Sequence, residues 1–155
     1  MSNTSKNKPA KRIDLITLRM VRERTAMFYE SRVIRSPKDA ADLFRQFIGD
    51  CDRESFCILC LNTKNEPTAI HQVSMGSLNA SLVHPRETFK LAILANSASI
   101  IACHNHPSGQ PDPSPEDIEL TERLRDTGVL IGIELLDHVI LGDGTFVSMK
   151  ERGLM

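Results

Sequence analysis

The sequence predicts an α/β domain in which a mixed β-sheet is flanked by about three helices. Three observations predict it. Short apolar runs such as Phe56-Cys57-Ile58-Leu59-Cys60-Leu61 and Ile100-Ile101-Ala102-Cys103 have the length and character of buried strands. Ser36-Pro37-Lys38-Asp39 and Ser114-Pro115-Glu116-Asp117 carry one helix-start signature: a capping serine, proline at the first helical position and an acidic residue at the third. Helical stretches alternate with strands, so hairpins and helical crossovers share one sheet, expected to hold six to eight strands. A chain of 155 residues suits one such domain, expected over residues 13–155.

Residues 1–12, with Lys6, Lys8, Lys11 and Arg12 among small polar residues, lack apolar periodicity and are expected to form a disordered basic tail. Residues 13–21 and 27–34 are expected to be strands. The helix opened by Ser36 turns Ala40, Leu43, Phe44 and Phe47 inward and stops before Gly49. Strands at 55–62 and 67–74 flank the turn Thr63-Lys64-Asn65-Glu66 and predict a hairpin, followed by a loop over 75–84. Pro85 starts a helix with Phe89, Ala92, Ile93 and Asn96 on one face, leading directly to the strand that ends in His104. The helix opened by Ser114 is expected over 115–127, with Gly128 just past its end. Strands at 129–135, 137–141 and 145–149 follow, the last two joined by Gly142-Asp143-Gly144.

Composition narrows the function. Nineteen basic against twenty acidic residues give a net charge of −1 and no field that draws the chain to nucleic acid or membrane. No apolar run approaches the ~20 residues of a membrane span, and the N-terminus lacks a signal-peptide core. A cytoplasmic location is the default expectation. Cys51, Cys57, Cys60 and Cys103 are expected to be free thiols. Cys57 and Cys60 lie three apart on one strand and face opposite ways, so they read as core rather than half of a zinc site. His71 and His84 read as packing residues.

The chemistry concentrates in His104-Asn105-His106-Pro107 and in Ser114-x-x-Asp117. Strand alternation sends His104 and His106 the same way, close enough to chelate an ion at roughly 2.0–2.1 Å, the bond length zinc prefers. Asp117 shares a helix face with Leu120 and Leu124, so its carboxylate can look inward as well as cap the helix. Two imidazoles and one carboxylate leave a fourth tetrahedral position for water, the mark of a catalytic rather than structural zinc site.

The pattern His104-x-His106-Pro107, seven residues to Ser114, then x-x-Asp117, resembles the JAMM motif of the JAB1/MPN metalloproteases. Ser77 to Glu87 and Leu136 to Gly144 resemble the RadC branch, and the likeness spans roughly residues 30–155. Longer RadC proteins carry an N-terminal helix-hairpin-helix region, which no segment here matches. The resemblance implies the JAB1/MPN architecture, related to the cytidine-deaminase fold, with zinc at the carboxyl end of the histidine strand. Spacing alone leaves Glu30, Glu54, Glu87 and Glu116 open as a general base; the family places its glutamate just before an early core strand, which Glu54 matches. It also implies that Ser114 stabilises a tetrahedral oxyanion, and that the substrate is a peptide or isopeptide. Three rivals stand beside this reading. A zinc nucleobase deaminase needs H-x-E and P-C-x-x-C, which are absent. A DNA-repair accessory would show salt-dependent DNA binding, and a non-catalytic MPN scaffold would hold no metal.

Overall fold

The computed structural model describes residues 11–23, 32–76 and 83–155. Among them run α1 (Pro37–Ile48), β1 (Ser55–Leu61), β2 (Pro67–Met75), α2 (Pro85–Leu94), β3 (Ser99–Asn105), α3 (Pro115–Ile131), β4 (Glu134–Leu141) and β5 (Phe146–Ser148). The five strands form one sheet in the order β2-β1-β3-β4-β5. Only β3 and β4 are parallel, joined across α3; the other pairs are antiparallel. The α/β class with a mixed sheet and three helices is therefore as the sequence predicts.

Side-chain alternation splits the core into two layers. Phe56, Ile58 and Cys60 of β1 and Ile100 and Ala102 of β3 pack with Phe89 and Ala92 of α2 and Leu120 and Leu124 of α3. Cys57, Leu59, Ile101, Cys103, Val139 and Leu141 pack on the other face beneath Ala40, Leu43 and Phe44 of α1. The central strands β1 and β3 are buried along their whole length, which explains their unbroken apolar runs. Cys57 and Cys60 fall in opposite layers, and all four cysteines are free. No helix among the described residues is long and apolar enough to cross a membrane.

Several expectations fail. Residues 13–21 form no strand; Ile13, Leu15, Ile16, Leu18 and Val21 are exposed, and an apolar segment becomes a strand only where a neighbour takes its backbone N–H and C=O groups. Of the strand expected at 27–34, residues 27–31 lie outside the described residues, and 32–34 are not strand. The expected tail falls outside them at 1–10, as does the expected loop at 77–82. The described sheet thus has five strands rather than six to eight. On α2, Phe89 and Ala92 are buried with Pro85 and Thr88, whereas Ile93 and Asn96 are exposed. His71 is exposed on β2, and His84 is exposed and caps α2, its Nδ1 accepting from Arg86 N at 3.2 Å.

The largest correction lies at the end of α3. Gly128 is inside the helix, and the cap is Gly132, in the left-handed conformation at φ 76°. Val129 to Ile131, expected to begin a strand, form the exposed last turn of α3, and the two strands expected over 129–141 are one, β4. Gly128 is glycine for a packing reason. Ile133 N donates to Gly128 O at 3.0 Å as the chain doubles back, and a Cβ at 128 would collide with the Ile133 carbonyl oxygen.

Candidate metal centre

β3 delivers the first histidine. His104 lies opposite Phe56 of β1, which places it on the face covered by α2 and α3. Beyond the strand the backbone keeps pairing, with His106 N donating to Leu141 O at 2.8 Å, so His106 continues the alternation and projects the same way. The two Nε2 atoms lie 2.9 Å apart. From the first turn of α3, Asp117 brings Oδ1 to 3.2 Å from His104 Nε2 and Oδ2 to 3.3 Å from His106 Nε2. His104 is fully buried, Asp117 nearly so, and His106 stands at the mouth.

Capping and ligation do not compete for Asp117. Ser114 N donates to Asp117 Oδ2 at 2.8 Å while Asp117 N donates to Ser114 Oγ at 3.1 Å, so the capping box leaves Oδ1 turned to His104. Burial pushes the Asp117 carboxyl up, but the His104 and His106 imidazoles and the Ser114 N–H outweigh it and hold the group far below the usual carboxylate range. Asp117 is thus an anion inside the domain. The same contact raises the His106 pKa against the effect of burial, with smaller help from the Gln110 carbonyl and the Glu54 charge.

The donor set fits a metal ion. His106 Nδ1 meets the Gln110 carbonyl at 2.7 Å, and because a carbonyl only accepts, Nδ1 carries the hydrogen and the neutral ring presents a lone pair at Nε2. One ligand atom from each of His104, His106 and Asp117 can be chosen so that all lie within 4.8 Å of one another. A tetrahedrally held ion with bonds of about 2.0–2.1 Å sets its ligand atoms about 3.3–3.4 Å apart. The closest approaches here, 2.9 to 3.3 Å, are near that edge length.

The backbone around Glu54 is held by a residue that sequence reasoning missed. Asn105 points away from the histidines, accepts from Ser55 N at 2.7 Å and donates to Arg53 O at 2.8 Å, so its amide fastens the backbone on both sides of Glu54. Glu54 O also accepts from Gly76 N at 2.9 Å. The other candidates lie elsewhere: Glu87 pairs with Lys90 at 2.8 Å on exposed α2, Glu116 is exposed, and Glu30 is outside the described residues. Thr121 and His138, both wholly buried, were also missed. Their signal was present, as polar side chains among apolar neighbours in α3 and β4.

Residues 34–154 match the RadC-like JAB domain family. The chain is 57% identical over 121 residues to UPF0758 protein ABC2615 of Shouchella clausii, covering 78% of this chain and 53% of that protein. It is 55% identical over 123 residues to a UPF0758 protein of Desulfitobacterium hafniense, covering 79% and 54% respectively. A UPF0758 protein of Desulforamulus reducens is 52% identical over 139 residues, covering 89% of this chain and 61% of its own length. The chain therefore spans little more than half of these relatives. With the histidine strand, the capped helix and the mixed sheet in place, this chain belongs to the RadC-like JAB domain family.

Proposed function

We propose that this domain is a zinc-dependent hydrolase of amide or isopeptide bonds. The observation that carries the reading is the convergence of His104, His106 and Asp117, with the charge of Glu54 acting on His106. Two imidazoles and one carboxylate suit zinc better than magnesium, which prefers an all-oxygen shell. When bound, zinc supplies Lewis acidity and makes water a nucleophile at neutral pH. His104, His106 and Asp117 would hold it, and the Asp117 anion contributes the one negative charge of the set.

Glu54 accepts the proton of the attacking water and returns it to the departing amine, the two transfers that amide hydrolysis needs. Ser114 has a second task in this reading. Its Oγ accepts from Asp117 N, which leaves the hydroxyl hydrogen to donate to an oxyanion developing on the substrate carbonyl. The substrate is proposed as a peptide or isopeptide.

The test combines metal analysis with a hydrolysis screen. Protein purified without chelators should hold about one zinc per chain and should gain thermal stability when zinc is added. Peptide and isopeptide libraries then identify a cleaved bond, and Glu54→Gln should keep zinc while losing hydrolysis. A protein that takes up no transition metal sinks the reading, and a fully active Glu54→Gln removes Glu54 from it.

A further inference from the structure

Behind His104 runs a buried chain of hydrogen bonds that ends on the same helix turn as Asp117. His104 Nδ1 lies 2.8 Å from His138 Nε2, and His138 Nδ1 lies 2.7 Å from Thr121 Oγ1. Thr121 Oγ1 in turn donates to Asp117 O at 2.7 Å. His104, Thr121 and His138 are all fully buried.

The direction of every proton in this chain follows from its far end. The Asp117 carbonyl can only accept, so the single hydrogen of Thr121 is spent there, and Thr121 Oγ1 must accept from His138 Nδ1–H. An imidazolium at 138 would be wholly buried with only a hydroxyl and another imidazole as hydrogen-bond partners, so the ring is neutral and bears its lone pair at Nε2. His104 Nδ1 therefore donates, and its remaining lone pair lies at Nε2, the atom facing His106 and Asp117. A hydrogen bond on the far nitrogen sets which ring nitrogen is free to bind.

The fold contains a specific device that brings His138 to this position. Ile100 pairs with Leu135 but Ile101 pairs with Asp137, so Leu136 is an extra residue in β4. One inserted residue turns every later side chain to the opposite face. His138 thereby joins the His104 face, while Asp137 anchors the strand by accepting from His138 N at 2.7 Å, Ser148 Oγ at 2.6 Å and Lys150 N at 3.1 Å. Phe56 closes the site, edge-on to His138 at 5.6 Å.

We infer that His138 and Thr121 are positioning residues that lock His104 in the Nδ1–H tautomer and so keep its Nε2 lone pair ready for the metal. The inference rests on the metal reading above and deepens it. Thr121→Val keeps the shape but removes the hydroxyl, and should weaken zinc binding about tenfold to a hundredfold. Thr121→Ser should restore it. The spectroscopic readout is the 15N shifts of the histidine rings in the chelator-treated full chain, which should show a proton on His104 Nδ1 and His138 protonated on Nδ1 alone. In chelator-treated Thr121→Val the His138 proton should move partly to Nε2, which displaces the proton on His104 Nδ1.

The outcomes separate cleanly. Absence of zinc uptake by the wild-type chain overturns the metal reading, while the 15N pattern still decides the tautomer. Normal zinc uptake by the wild type, with an unchanged 15N pattern and unchanged affinity in Thr121→Val, overturns the positioning role. If Thr121→Val does not fold, the wild-type pattern decides alone, and a His104 Nδ1 without a proton refutes the inference.

Discussion

Helices α1 and α3 begin with the same chemistry. In α1, Asp39 N donates to Ser36 Oγ at 3.3 Å and Ser36 N to Asp39 Oδ2 at 3.0 Å; in α3 the matching bonds are 3.1 and 2.8 Å. Proline holds the first helical position in both. The difference lies in what each start meets. The Asp39 carboxylate also accepts from Arg35 N on an exposed surface, whereas Asp117 turns inward to two imidazoles. A capping box is thus a local device that satisfies backbone donors, and it becomes part of a binding site only when the sheet brings other ligands to it.

The sharpest way to break the comparison is to neutralise both aspartates. Asn nearly preserves the shape, so each change should cost about 1 kcal/mol or less at the helix start. Asp117→Asn should in addition weaken zinc binding by more than about a hundredfold, because a neutral amide oxygen is a poor partner for the ion. Asp39→Asn should bind zinc as the wild type does. Competition titration against a chelator of known affinity measures both, and equal zinc binding by the two variants would reduce Asp117 to a cap.

The serines provide the next contrast. Ser36→Ala and Ser114→Ala each remove a side-chain cap, and melting curves should show a similar loss of about 1 kcal/mol. Only Ser114→Ala should also slow hydrolysis, by about a hundredfold to a thousandfold in kcat at unchanged zinc content, if its hydroxyl stabilises the oxyanion. Equal stability losses with no change in kcat would leave Ser114 as a cap alone.

The two helix ends differ more than the starts, and here the sequence misleads. A glycine after an apolar stripe is a stop signal at Gly49, where α1 does end, and it looks like one at Gly128, where α3 continues. What distinguishes them is a contact with residues not yet reached in the chain: Gly128 lies against the returning Ile133, whereas a Cβ on Gly49 would meet nothing within 4 Å. Gly128→Ala should therefore cost more than Gly49→Ala, about 2 kcal/mol or more against about 1 kcal/mol for the positive φ of 60° at Gly49. Denaturant unfolding checks the order, and equal losses would mean that the turn into β4 shifts freely.

The same reasoning explains which parts of the site were legible. His104, His106 and Asp117 follow from strand period, helix period and a short loop, all local in sequence. Asn105, Thr121 and His138 did not, because their roles depend on partners far along the chain. Asn105 acts on residues 53 and 55, and His138 reaches the site only through the extra residue Leu136. The missing strand at 13–21 has a related cause, since apolar content sets a propensity and a pairing neighbour decides the outcome. The central strands needed no such information, being apolar on both faces.

The last contrast sets the two faces of the sheet against each other through thiols. Cys57 faces the α1 layer and Cys60 the α3 layer, and Cys103, opposite Cys57 across the β1–β3 ladder, shares the α1 layer. Burial pushes the Cys57 thiol up to about 11, outweighing the hydrogen bond with Ser55 Oγ that favours the thiolate. It raises Cys103 still more clearly, with the neighbouring Cys57 adding to it, and raises Cys60 as well. A folded-state pKa above the unfolded one means that the native chain holds its proton longer. The stability is full below the unfolded value near 8.5 and is lost as pH rises toward 11, on the order of 3 kcal/mol for Cys57. Melting temperature should fall over that window, and the fall should be shallower in Cys57→Ala, although this variant starts less stable from lost packing. Cys60→Ala should flatten the profile less, because it leaves both thiols beneath α1 in place. At pH 8 the half-buried Cys51 should react with iodoacetamide well before the other three. Rapid alkylation of Cys57 or Cys103 in the folded chain would show that the α1 layer opens more readily than its packing implies, and would break the contrast between the two faces.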